Sequence, residues 1–204
     1  MTAAITIVIA EDQALVLSAL SRLLSLETDF TIAGSAADGQ EALQVTRSLR
    51  PDVLILDIEM PGMLGLDVAA MLHAERARTR VIMLTTFARQ GYLQRAMAAN
   101  VAGFLLKDSP VDVLTAAVRK VAAGQRAIDP KLGAMLWDFK PDQLSDRERS
   151  VIRLAEEGRS NKDIARALGL SPGTVRNYLS FAASKLGAAN RQEAGRIARE
   201  NGWL

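Results

Sequence analysis

Four short stretches of this 204-residue chain end an apolar run on groups suited to charged oxygen chemistry. "ITIVIAED" closes on Glu11 and Asp12, "VLILD" on Asp57, "VIMLTT" on Thr85 and Thr86, and "GFLLK" on Lys107. A carboxylate beside a buried run is costly, so each of these acids asks for a partner. Three carboxylates brought together repel one another unless a cation sits among them. With oxygen donors alone that cation is best satisfied as Mg2+, which keeps several waters and binds beside phosphate. A lysine and a hydroxyl nearby complete a cradle for an added phosphoryl group. In that setting Asp57 reads as a carboxylate nucleophile that becomes an aspartyl phosphate. Taken singly, each residue has a plainer reading. Asp12 could cap a helix, Asp57 could be a turn aspartate before Pro-Gly, Thr85 strand filler, and Lys107 a solvated strand end.

The chemistry needs these groups on one edge, and the pattern of the first 123 residues supplies one. Strand-like runs at 5–9, 31–33, 53–56, 81–84 and 103–106 alternate with helical periodicity over about 13–26, 38–48, 65–77, 89–98 and 110–123. Five β runs, each followed by a helix, predict an α/β domain with a parallel sheet covered on both faces. Ligand sites of such sheets collect at the carboxyl ends of the strands. Pro51 and Pro61 fall between elements, and Pro110 suits the first turn of the fifth helix. Residues 124–143 lose the alternation and read as a linker with one short helix near 130–137.

Residues 144–204 carry helical pattern only, over about 145–157, 161–168, 172–185 and 190–201, with Gly158, Gly169 and Gly187 at helix ends. Ser145 and Glu148 form a capping-box pattern. "SNKDIARALGLSPGTVRNYLS" reads as helix, tight turn through Gly169, and a second helix capped by Ser171, which is helix-turn-helix spacing. Ile164, Ala165 and Leu168 supply the apolar stripe of the first helix, Val175 and Leu179 that of the second. Thr174, Arg176, Asn177, Ser180 and Lys185 then lie on the outward side, able to reach phosphates and base edges. A four-helix protein-interaction domain with a solvated basic face is the other reading.

Composition narrows the class. The chain is 49% hydrophobic and 24% charged, ordinary for a soluble globular protein. The absence of cysteine excludes disulfide frameworks and thiolate metal sites. "MTAAITIVIAEDQ" lacks the basic start of a signal peptide, and no apolar stretch approaches the roughly 20 residues that span a bilayer. These features predict a cytoplasmic protein with no direct membrane insertion. Lys+Arg number 11 against 13 Asp+Glu through Ala123, and 14 against 10 from Gly124 onward, which puts any polyanion partner on the second half. His73, the single histidine, lies on the third helix away from the strand ends and reads as a surface or partly buried residue rather than a ligand or base.

"IAEDQ", "LDIEMPG", "LTT" and "GFLLKDS", in this order and spacing, resemble the receiver domain of two-component response regulators over residues 3–123. Residues 141–204 resemble the LuxR-type DNA-binding domain, and the pairing resembles the NarL/FixJ class. The resemblance implies a flavodoxin-like (βα)5 receiver followed by an all-α, four-helix DNA-binding domain. It implies Asp57 as phosphoacceptor, with Mg2+ held by Asp12, Asp57 and the backbone carbonyl of Glu59, and Glu11 assisting through water. Thr85 would bond the phosphoryl oxygens and Lys107 would pair with them. Phe104 occupies the switch-aromatic position and, lacking a hydroxyl, would act by packing alone. The implied partners are a sensor histidine kinase and double-stranded promoter DNA. Arg176, Asn177 and Ser180 would face bases, and Thr174, Lys185 and Lys162 phosphates. "TTFARQGYLQRA", "LLKDSP" and "GTVRNYLS" resemble the DesR-type subgroup more narrowly. No substrate turnover is implied beyond the receiver's own phosphorylation and dephosphorylation. Aspartyl-phosphate hydrolases also place a nucleophilic aspartate at a strand end, but they usually carry a second aspartate two residues on, where this chain has Glu59. A receiver-like domain working without phosphorylation is the third possibility, and the full acidic set argues against it.

The first helix is unusually apolar. Leu15, Val16, Leu17, Leu20, Leu23, Leu24 and Leu26 cover roughly 200° of arc, about twice one core-facing stripe. Either the helix is deeply covered or lies under the linker, or the excess face forms a homodimer on phosphorylation. In the second case Leu15 and Leu17 would join Val113, Leu114 and Val118 of the fifth helix. The family also uses the surface built by the fourth helix and fifth strand.

Overall fold

The computed structural model describes residues 4–86, 90–133 and 143–204, arranged as two compact units. The first holds six strands: β1 (Ile5–Ala10), β2 (Phe30–Ala36), β3 (Val53–Asp57), β4 (Arg80–Thr85), β5 (Gly103–Leu106) and β6 (Ala127–Ile128). They pair in parallel in the order β2-β1-β3-β4-β5-β6. The crossovers are α1 (Ala14–Leu24), α2 (Gly39–Leu49), α3 (Gly65–Ala74), α4 (Gln90–Ala98) and α5 (Val111–Ala122). The first five strands therefore follow the flavodoxin-like order 2-1-3-4-5, with the switch point between β1 and β3.

All five residues of β3 are buried, the signature of a central parallel strand. Ile7, Ile9, Val53, Ile55, Ile82, Leu84 and Leu105 form one sheet face with Leu24 of α1 and Leu114, Ala117, Val118 and Val121 of α5. Their alternates Val8, Leu54, Leu56, Met83 and Phe104 are buried on the opposite face. Each such side chain contributes about 1.5–3 kcal/mol. A one-residue slip would reverse both faces, so the register that sets Asp57 opposite Leu84 is held by the whole core.

Three expectations are corrected here. The stretch read as linker contains β6, whose Ala127 and Ile128 pair with Gly103 and Phe104, and the short helix α6 (Pro130–Gly133). A two-residue strand carries too little sequence for a period of two to show. Residues 134–142, where the short helix was expected to continue, lie outside the described residues. On α5, Leu114 and Val118 are 5% and 0% exposed and belong to the core, so they cannot line a surface between protomers. Val113, on the outward side of the same helix, is exposed. Pro110 precedes the first turn of α5 at the N-cap rather than lying within it.

The first helix is not deeply covered. Only Leu24 of its residues is buried; Leu17 and Leu20 pack partly on the core, while Leu15 is 84% exposed. Leu26, just beyond the helix, is 78% exposed.

The second unit is a helical cluster of α7 (Asp146–Glu156), α8 (Asn161–Leu168), α9 (Pro172–Leu186) and α10 (Arg191–Glu200). Each begins on a short polar cap, Ser145, Ser160, Ser171 or Asn190, whose side chain accepts from the backbone N–H three residues on. Gly169 and Gly187 end α8 and α9 in the left-handed region, where a side chain would strain the turn. Val151, Ile152, Ile164, Val175, Leu179 and Trp203 fill the core. Glu148 is buried beneath it, accepting from Ser145 N (2.7 Å), Ser145 Oγ (2.8 Å) and Lys185 Nζ (2.7 Å). Burial raises its pKa, but the bonds from Lys185 and Ser145 outweigh that and leave it below the ordinary value. The cap thus couples the start of α7 to the end of α9. Ser145→Ala is expected to lower the unfolding free energy by about 1–2 kcal/mol at pH 7, read by urea titration followed by circular dichroism.

Candidate carboxylate site and helix-turn-helix surface

Parallel pairing delivers the strand ends to one edge. β1 ends at Ala10, so Glu11 and Asp12 enter the loop above it; Asp57 and Thr85 are the last residues of β3 and β4, and Lys107 follows β5. The N–H of Lys107 donates to the Thr85 carbonyl at 2.8 Å, tying the last two together. One carboxylate oxygen each of Glu11, Asp12 and Asp57 lies within 4.8 Å of the others. Glu11 and Asp57 are 1% and 5% exposed, whereas Asp12 is open to solvent. Asp12 does not cap α1, since Gln13 holds that position without a side-chain bond.

Lys107 stands between the two buried acids, its Nζ 2.7 Å from Glu11 Oε2 and 3.0 Å from Asp57 Oδ2. Asp57 Oδ1 accepts from the N–H of Ile58 at 2.7 Å. Burial pushes the Asp57 carboxyl above its ordinary range, and the bonds from Lys107 and from the Ile58 and Glu59 backbone only partly offset it. Burial does the same to Glu11, opposed by Lys107 and reinforced by the charge of Asp57. For Lys107 burial pulls downward, but hydrogen bonds to Glu11 and Asp57 prevail and raise it. Three acids against one lysine leave two formal negative charges on a partly dry edge. Oxygen donors carrying that deficit, with Asp12 open to water, fit a hard divalent cation.

Thr85 is buried at this edge and Phe104 is 2% exposed on the same sheet face, one diagonal step away across the β4–β5 pairing. Glu59 lies in the loop after β3 with its side chain in solvent. His73 is exposed on α3. A cavity of about 1130 Å³ opens at the opposite edge of the sheet, lined by Arg47, Arg50, Asp52 and Arg80 among others, away from the acids.

Two glycines that sequence reasoning passed over hold the loop between β3 and α3. A Cβ on Gly65 would sit 2.0 Å from the Asp57 carbonyl oxygen, and one on Gly39 would sit 2.2 Å from that of Met63. Gly65 also donates its N–H to the Ile58 carbonyl at 2.9 Å. The start of α3 is thereby pressed against the backbone of Asp57. The available signal was a glycine in "GMLGLD" at a helix start, which says nothing of what lies against it.

On α9, Arg176, Asn177 and Ser180 are exposed; Thr174 is half-buried with Oγ1 2.8 Å from Ser171 Oγ. Lys162 is exposed at the start of α8. Lys185 is exposed near the end of α9, and its ammonium also reaches the buried Glu148 at 2.7 Å.

A doubly wound sheet with this acidic edge, joined to a capped helix-turn-helix unit, defines a regulator with a receiving domain and a nucleic-acid-binding domain. Residues 7–119 match the family described as "Response regulator receiver domain", and residues 142–198 match "Bacterial regulatory proteins, luxR family". The chain belongs to the two-component response regulators of the LuxR family, DNA-binding regulators of transcription. It is 49% identical to the uncharacterized transcriptional regulatory protein YvfU of Bacillus subtilis strain 168, over 98% of this chain and 100% of that one. It is 45% identical to the transcriptional regulatory protein DesR of the same organism, over 98% and 99%. The crystal structure of the response regulator ChrA from a heme-sensing two-component system matches with a TM-score of 0.58 at 30% identity, covering 98% of this chain and 99% of that one.

Removing Lys107 leaves two buried carboxylates facing each other. Lys107→Met is expected to cost about 3 kcal/mol of stability at pH 8. Without the lysine both acids titrate higher still in the folded state, so the loss grows as pH rises through their folded values and shrinks as they protonate. Urea unfolding of both proteins at pH 5 and pH 8 checks this; an equal loss at the two values would contradict it.

Proposed function

We propose that Asp57 accepts a phosphoryl group from a sensor histidine kinase, and that this modification drives a homodimer onto promoter DNA. The observation that carries the reading is the convergence of Glu11, Asp12 and Asp57 within 4.8 Å, beside Lys107, at the edge where Thr85 ends its strand. A carboxylate oxygen of Asp57 attacks the phosphorus of the kinase phosphohistidine. The P–N bond breaks, and the departing imidazole nitrogen keeps the electron pair and takes up a proton. Asp12, Asp57 and the carbonyl of Glu59 would hold Mg2+ directly, with Glu11 reaching it through water. Bound there, the ion offsets the repulsion between carboxylate and incoming phosphate.

The chain's own groups do the rest. Lys107 exchanges one of its carboxylate bonds for a phosphoryl oxygen, and the Thr85 hydroxyl turns toward another. The departure of Thr85 from its resting position leaves room that the Phe104 ring, already inward, keeps filled by packing alone. The apolar surface left on α1 and α5, with Leu15, Leu17 and Val113, supplies the dimer contact; Leu114 and Val118 support it from the core. A switch from mostly monomer to mostly dimer asks a few kcal/mol of the phosphoryl group. Dimerisation sets two α9 helices about one DNA turn apart. Arg176, Asn177 and Ser180 face base edges there, and Thr174, Lys162 and Lys185 contact phosphates. Among the described residues no helix is long and apolar enough to cross a membrane.

Light scattering checks the dimer step. After treatment with acetyl phosphate and Mg2+, the wild type is expected at twice the 22.0 kDa protomer mass, and Leu15→Glu at the protomer mass. A monomeric wild type that carries the phosphoryl group would contradict the dimer reading.

A further inference from the structure

Phe181 is the one exposed large apolar side chain among the described residues of the helical unit, at 61% exposure. Leu154, Leu168, Leu170, Tyr178, Leu186, Ile197 and Leu204 are all packed against the core of that unit. A single exposed apolar residue on an ordinary surface needs no explanation. This one is not on an ordinary surface.

The arc of α9 turned away from the core is set by its buried positions, Val175, Leu179 and Ala182. At about 100° per residue, Asn177 lies near the middle of the opposite arc. Ser180 falls about 60° to one side of it and Phe181 about 40° to the other. Phe181 is therefore turned outward about as directly as Ser180, at nearly the same height along the helix. It stands four residues beyond Asn177, about 6 Å along the axis, close to two base-pair steps of about 3.4 Å each. Arg176, Asn177 and Ser180 bring polar atoms for base edges and phosphates. Phe181 brings none, and the major groove offers one apolar feature to meet it, the C5-methyl group of thymine.

We infer that Phe181 is a specificity-determining residue that reads a thymine methyl in the major groove, one or two base pairs from the position met by Asn177. The inference rests on the reading of α9 as the base-facing helix. The other occupant such a ring could find is a second copy of this chain, and that is decided by the same set of measurements.

The full chain, treated with acetyl phosphate and Mg2+, selects its preferred site from a random double-stranded DNA library. Each thymine of the selected site is then replaced in turn by deoxyuridine, which removes the methyl and leaves every hydrogen-bonding group in place. One thymine in each half-site is expected to weaken wild-type binding by about fourfold when demethylated, the effect of one buried methyl group. Phe181→Ala is expected to bind the thymine and deoxyuridine sites equally, at about the affinity of the wild type for the deoxyuridine site or below it. Unchanged thermal unfolding shows that the variant is folded.

If Phe181→Ala keeps the full deoxyuridine penalty, another residue reads the methyl and the inference is overturned. It is equally overturned if no deoxyuridine replacement matters, if selection enriches no sequence, or if Phe181→Ala changes the oligomeric state without DNA. Arg176→Ala separates the two levels. Loss of binding in that variant with no Phe181 coupling removes only the present inference, whereas undiminished binding removes the base-facing reading of α9 itself.

Discussion

The receiver unit is organised around an unbalanced charge. Glu11 and Asp57 are nearly inaccessible and Asp12 is close by, yet Lys107 is the cation that stands between the two buried acids. A buried carboxylate without enough compensation weakens the fold, and the raised values of Glu11 and Asp57 express that cost. The same deficit is what the proposed divalent cation and phosphoryl group would relieve. Stability is conceded at the edge where the chemistry is proposed, and the apolar strands behind it hold the conceding groups in register.

The helical unit solves its electrostatics in the opposite way. Its buried acid, Glu148, is fully supplied with donors from Ser145 and Lys185 and titrates below its ordinary value. Four capped helices pack around one core, and the outward arc of α9 carries Arg176, Asn177, Ser180 and Phe181, a mix of polar and apolar groups.

Much of this was legible in the amino-acid order. Strand-end acids, a strand-end threonine and a strand-end lysine can be named from sequence because a parallel sheet gathers strand ends at one edge, whatever the details of its loops. The helix caps were legible because Ser145 and Ser171 are polar residues at the head of an apolar period. What stayed hidden depends on contacts between distant residues. The two residues of β6 have no pattern of their own and are defined by β5. Gly65 matters because the Asp57 carbonyl lies against it, and neither residue announces the other. Leu114 and Val118 looked equivalent to Val113 as apolar positions, and only the sheet decides which of them are inward. Lys185 is outward as its sequence position suggests, but its pairing with Glu148, 37 residues away, has no local signal.

The claim on which the rest stands is that Asp57 is a phosphoacceptor, and intact mass measures it most directly. Wild type and Asp57→Ala are incubated with acetyl phosphate and Mg2+ and compared with samples lacking the ion. The account predicts a single phosphoryl adduct on the wild type, dependent on Mg2+, and none on Asp57→Ala. An adduct of equal yield on both proteins would place the acceptor elsewhere and contradict it.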